Sequence, residues 1–388
     1  MDLYKGDWLQ ARQRIEAWWE REIIDRPCLQ IFVPKDPAAL GFPPVWTEVL
    51  RQGTGLEREP VETALKRWLH VGAWNSLDPE RAVRNRRWAF GLTYFVGESF
   101  PRMRVYLGPG VLTAFLGCPL TLEEFTSWQE PILADWSQLG RFQWDEENPW
   151  WQLVLRLTET AVADSKGDYV VGITDLGGAG DLAANLRGTQ RLLLDLYDHP
   201  EEVLALEERL CDWWLAAYDR LYTLTSSLGV GCCSWLLAWH AGRTYPIQCD
   251  FSAMISPRMF ERFFLPTLLR QARALDRCIY HLDGPDAVRH LDLLLACPEI
   301  HAIQWVPGAG GGPMVQWIPL LQRIQAGQKA VHVQAPPWEV PELLEALEPE
   351  GLMIETVAPD LEQAETLLAL ARKVAAQKAR RWRGWAQG

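Results

Sequence analysis

What the 388-residue chain lacks already narrows its function. No apolar stretch reaches the ~18 residues that a bilayer crossing requires. None of the eight cysteines is spaced C-x-x-C, which excludes a zinc ribbon and a thioredoxin-type redox pair. No Gly-x-Gly-x-x-Gly follows a first strand, so the dinucleotide-binding fingerprint is missing. Basic charge is short as well: 38 Lys and Arg stand against 50 Asp and Glu, a net charge of −12 that makes nucleic acid an unsuitable partner. The opening Met1-Asp2-Leu3-Tyr4-Lys5-Gly6-Asp7 carries acid where a signal peptide carries base. These absences lead us to expect a cytoplasmic protein with no membrane and no nucleic-acid partner.

What is present describes a large folded enzyme-sized chain. With 48% hydrophobic and 23% charged residues, disorder and coiled coil are excluded, and the length suffices for a large core. The cysteines (Cys28, Cys118, Cys211, Cys232, Cys233, Cys249, Cys278 and Cys297) sit mostly in apolar stretches and read as buried thiols of a reducing compartment. Twenty-one tryptophans serve either packing or an aromatic-lined cleft for a flat or cationic ligand.

Periodicity predicts a helix over 8–22 and a strand over 28–33, then mixed Pro-rich text to about residue 148. A regular rhythm follows. Strands are predicted at 169–174, 232–237, 278–282, 300–305, 330–334 and 351–355, and helices at 151–166, 181–195, 200–227, 257–275, 285–296, 315–326, 340–347 and 360–380. Strands separated by crossover helices pair in parallel, and near-continuous apolar runs mean that both faces are covered. The pattern predicts an α/β fold, a (β/α)8 TIM barrel over residues 81–388 with an N-terminal helical and loop extension over 1–80.

In such a barrel the chemistry sits where strands end. Those ends carry Asp175, Trp239, His240, His281, Asp283, Gln304, Trp305, Gln334 and Glu355. Within Tyr280-His281-Leu282-Asp283-Gly284, residues two apart on a strand face one way, so His281 and Asp283 aim at one point. They read either as a buried His–Asp pair or, with Glu355 from the last strand, as a three-ligand metal site with an open position.

These segments resemble the uroporphyrinogen decarboxylase superfamily, specifically its cobalamin-dependent methyltransferase branch, from about residue 85 onward. The resemblance rests on Gly108-Pro109-Gly110 with Gly117, on Asp175-Leu176-Gly177-Gly178 through Asp181-Leu182-Ala183 to Leu186-Arg187-Gly188, and on Leu196-Tyr197-Asp198-His199-Pro200-Glu201-Glu202-Val203. It continues in Asp250-Phe251-Ser252, Ile255-Ser256-Pro257, Phe260 and Phe264-Leu265-Pro266, and ends on the His281 strand. The family fold is a (β/α)8 barrel. The decarboxylases' R-Q-A-G-R-Y motif is replaced here by Arg26-Pro27-Cys28-Leu29-Gln30-Ile31, so a porphyrinogen with several carboxylates is an unsuitable substrate.

The methyltransferase branch holds zinc with a His-x-Cys on one strand and a Cys on the last. The resemblance therefore implies Zn2+, or another divalent metal, on His281, with Asp283 and Glu355 standing where the thiolates would be. One imidazole with two carboxylates makes a harder ion suited to polarising an oxygen or nitrogen leaving group. The implied activity is transfer of a methyl group from an O- or N-methylated small molecule to a corrinoid carried by a partner protein. Trp239 and Trp305 would form an aromatic wall, Tyr280, Gln304 and Gln334 would orient the substrate, His240 would serve as acid or further ligand, and Arg243 and Tyr245 would hold a carboxylate. Two alternatives stay open: a metal-free lyase acting on a carboxylic acid through Asp175, His240 and Arg243, and a non-catalytic ligand-binding member. The basic run from Lys373 to Arg383 reads as a solvated helix end, or as a docking patch for an acidic corrinoid protein.

Overall fold

Apolar runs such as Cys28–Pro34, Thr244–Gln248 and Leu352–Val357 are inaccessible along their whole length, as strands covered on both faces must be. The computed structural model describes residues 1–36, 38, 77–123 and 126–385, so most of the Pro-rich stretch read after Pro34 lies outside the described residues. In chain order, β1 (Cys28–Pro34) and β2 (Thr93–Gly97) precede β3 (Arg102–Arg104) and the hairpin of β4 (Leu120–Leu122) and β5 (Ser127–Gln129). β6 (Val170–Gly172), β7 (Thr244–Gln248) and β8 (Arg277–Asp283) come next, then β9 (Ala302–Val306), β10 (Ala330–Gln334) and β11 (Leu352–Val357). No helix among the described residues is long and apolar enough to cross a membrane.

The chain divides into two units. One gathers the described residues of Met1–Leu69 with Arg87–Pro101 and His301–Gly388; the other comprises those of His70–Arg86 with Arg102–Ile300. The division differs from the boundary expected near residue 80, because the first strand belongs with the last ones. β1 pairs in parallel with β11, β11 with β10, and β10 with β9, while β2 closes antiparallel on β1. The N-terminal segment is pinned to this sheet. Buried Lys5 donates to the carbonyls of Phe95 (3.0 Å) and Gly97 (2.7 Å). Arg26 forks onto Glu98 at 2.6 and 2.7 Å, and Glu98 also accepts from the Leu29 amide at 2.8 Å. Removing one partner of such a buried charged pair typically costs ~3–5 kcal/mol.

The second unit contains the parallel pairs β3–β6 and β7–β8. Its helices start on clear local signals: Asn148 caps Pro149–Ser165 by accepting from the amides of Trp150 (2.9 Å) and Trp151 (3.2 Å), and Pro200 opens the helix to Ser226. Trp214 and Tyr218 of that helix stack at 5.2 Å, with Tyr245 edge-on to both. The architecture is mixed α/β with a parallel-rich sheet, and the pairings among the described residues do not run round into a closed eight-stranded ring.

One predicted strand moves. Residues 232–237 make only a two-bond bridge, Cys232 to His240, and one bond from the Ile173 amide to the Cys233 carbonyl at 3.0 Å. The strand is instead Thr244–Gln248, disguised by Pro246, which cannot donate to a ladder.

Candidate functional site

The β7–β8 register sets Gln248 opposite His281. Asp250 lies two residues beyond the first and Asp283 two beyond the second, so the two acids arrive at the same level and end. Ligating atoms of Asp250, His281 and Asp283 all fall within 4.8 Å of one another. His281 Nε2 stands 3.9 Å from Asp283 Oδ2, and the edge of the Trp235 indole meets the imidazole at 5.1 Å and 89°. Tetrahedral zinc ligands at bonds of ~2.0–2.1 Å lie about 3.3 Å apart, so small side-chain rotations would bring this set into bonding range.

The turn that carries Asp250 is held from two sides. Asp181, in the first turn of the helix Ala179–Arg187, accepts from the Phe251 amide at 2.7 Å. Buried His290 donates from Nε2 to the Ser252 carbonyl at 2.8 Å, and burial lowers its pKa. The approach of helix and turn requires glycine: a Cβ on Gly178 would lie 1.8 Å from the Gln248 carbonyl oxygen, and Gly177 (φ +79°) would press on Gly110 and Leu182.

Asp175 caps the loop beyond β6. Its buried carboxylate accepts from the amides of Gly177 (2.9 Å) and Gly110 (3.4 Å). Burial raises its pKa to about 6 against the opposing pull of Arg104, the two amides and His281. Burial likewise raises Asp181, which its bonds to the 250–251 amides and the nearby His281 oppose. Asp250, whose side chain is exposed, is raised too, by desolvation and then by the carboxylates of Asp181, Asp283 and Asp175. Two carboxylates, those of Asp250 and Asp283, lie against the imidazole, and these three side chains could hold a divalent cation.

The other predicted residues go elsewhere. His240 and Arg243 precede β7, at the opposite end of the parallel pair from His281, and four residues of strand span ~13 Å. His240 Nδ1 accepts from the Gly242 amide at 3.0 Å; Arg243 is bonded to Asp219 and to the Ala274 carbonyl, its guanidinium over Tyr218 and Tyr222. Trp239 is buried and donates to the Val230 carbonyl at 2.8 Å. Tyr245 is buried too, its hydroxyl donating to Thr174 and accepting from Leu176, which braces the Asp175 loop from behind. Tyr280, next to His281 on β8, points to the opposite face and is buried, which raises its pKa.

In the first unit, register places Gln30, Glu355 and Gln334 in one row and Gln304 and His332 in another on the same face. Gln334 donates to Glu355 at 3.1 Å, and His332 Nε2 stands 3.9 Å from Glu355. Trp305 faces the other, apolar side and packs on Trp317 at 4.7 Å. Glu355 is thus placed with His332 and Gln334, while the acid gathered with His281 and Asp283 is Asp250. Asp250 went unrecognised because its strand did; the spacing Gln248–Asp250 against His281–Asp283 is the signal that identifies it. The paired tryptophans Trp18–Trp19 (4.4 Å) and Trp144–Trp151 (5.0 Å) pack on each other.

No known family model matches this chain, and neither does any curated protein. Among solved structures it is similar to a methyltransferase from Methanosarcina mazei, with a TM-score of 0.58 and 14% identity, covering 94% of this chain and 98% of that one. At that identity the likeness is one of fold, and a fold alone does not fix a reaction.

Proposed function

We propose that the protein is a metal-assisted methyltransferase of the uroporphyrinogen decarboxylase superfamily, built on a (β/α)8 barrel and acting with a corrinoid-carrying partner on an O- or N-methylated small molecule. The observation that carries this reading is the convergence of Asp250, His281 and Asp283 within 4.8 Å. A divalent ion such as Zn2+ held there would supply a Lewis acid for the leaving heteroatom. The chain does the rest. His281 and the two aspartates would hold the ion, Asp181 and His290 keep the Asp250 turn in place, and the Trp235 ring walls the imidazole. Asp175, with its pKa raised to about 6, holds or releases a proton near neutrality as charge builds on the departing oxygen or nitrogen.

A second reading, a lyase acting on a carboxylic acid without metal, draws on the same Asp175, whose buried carboxyl is poised for acid–base work unaided. Metal analysis separates the two. Protein purified without chelator is expected to carry about one equivalent of zinc or another divalent ion, and His281→Ala to carry none. A metal-free wild-type protein whose melting temperature ignores added zinc overturns the methyltransferase reading.

A further inference from the structure

Besides the acids, the second unit carries a group of arginines to which no role has been given. Arg102 and Arg104 lie two apart on β3 and face the same way. Arg102 donates from one Nη to the backbone carbonyls of Ser234 (2.8 Å) and Trp235 (2.5 Å), and the Trp235 indole is the one that meets His281. Arg104 is half-buried, its guanidinium 3.5 Å over the Tyr106 ring. No carboxylate lies within 4.0 Å of it among the described residues, and its buried Nε has no hydrogen-bond partner there. Its effect reaches Asp175, for which it is the strongest of the influences opposing burial. Buried Arg86 stands close enough that desolvation, then Arg102 and Arg104, push its pKa down to about 9. Three guanidiniums that repel one another, one with an open edge, are an arrangement that an anion relieves, and the planar fork suits a carboxylate.

We propose that Arg104, backed by Arg102 and Arg86, receives a carboxylate of the substrate, so that the molecule is a small methylated carboxylic acid whose methyl-bearing heteroatom faces Asp250, His281 and Asp283. The part concerning the heteroatom rests on the methyltransferase reading; the carboxylate contact does not. The assignment moves the carboxylate contact from Arg243, consumed by Asp219 at the far end of β7, to Arg104 on β3.

The test is binding to the full chain, followed by calorimetry and tryptophan fluorescence, with methoxyacetate and its neutral counterpart methoxyacetamide as probes, each with and without zinc. The acid is expected to bind about tenfold or more tightly than the amide. Arg104→Gln should abolish that preference while leaving the amide's affinity unchanged, Arg104→Lys should retain part of it, and Arg243→Gln should retain all of it. Equal affinities for the two probes, no binding of the acid at ~10 mM, or a preference that survives Arg104→Gln overturns the proposal. A wild-type protein that prefers the acid yet binds no zinc leaves this contact standing while the metal reading falls, and one that binds zinc but shows no acid preference does the reverse, so the two fail separately.

Discussion

The two ends of the β7–β8 pair carry the same kinds of side chain and use them differently. Before the strands, His240, Arg243, Asp219 and Asp276 are matched one to another: the Gly242 amide fills His240 Nδ1, the Arg243 amide fills Asp276, and the Arg243 guanidinium takes Asp219 and two tyrosine faces. Beyond the strands, Asp250 and Asp283 crowd His281, with Asp175 and Asp181 close enough to raise Asp250 further. Charges that satisfy each other build a stable end; the carboxylates gathered at the other end are where the proposed ion would bind. The lesson is that residue type at a strand terminus does not reveal function until its partners are counted.

Substitutions can break this contrast. The largest effect is expected from His281→Ala, which should lower zinc affinity at least about 100-fold, whereas His240→Ala should leave it within about twofold; equilibrium titration against a zinc chelator reads both. Asp175→Asn comes next. A carboxyl raised from 3.8 to about 6 makes the native state bind more protons than the unfolded one, so stability falls as pH rises from about 4 to 6. That fall amounts to about 3 kcal/mol and should vanish in the variant, as urea unfolding across a pH series would show. Asp181→Asn weakens the hold on the Asp250 turn and is expected to cost about tenfold in metal affinity with little change in melting temperature. Arg243→Met should do the reverse, losing about 1–2 kcal/mol of stability to urea with metal binding intact. If Arg243→Met instead impairs metal binding, the two ends are coupled and the contrast fails.

Much of the α/β class could be read from the sequence because it rests on local signals. Apolar runs at 28–33, 278–282, 330–334 and 351–355 each fall on an observed strand, and Pro149 and Pro200 mark where helices begin. His281 and Asp283 share a face because alternation along a strand guarantees it. What could not be read depends on pairing. Trp305 was taken with Gln304 although neighbours on a strand oppose one another, and the polar row of Gln30, Glu355 and Gln334 exists only through the register of three strands. Arg243 and His240 were placed at the wrong end because Pro246 hid β7, which shifted the apparent strand upstream and turned its leading residues into trailing ones. Asp250 was lost in the same slip.

The pairing of β1 with β11 also bears on how the molecule is made. The largely apolar Cys28–Pro34 finds its parallel neighbour only after residue 357, more than 300 residues later, has emerged. Contacts so distant along the chain are formed late and slowly. During synthesis Cys28–Pro34 has the helix Trp8–Trp19 and β2 to lean on, so the nascent polypeptide offers chaperones a strand with one open edge for most of translation.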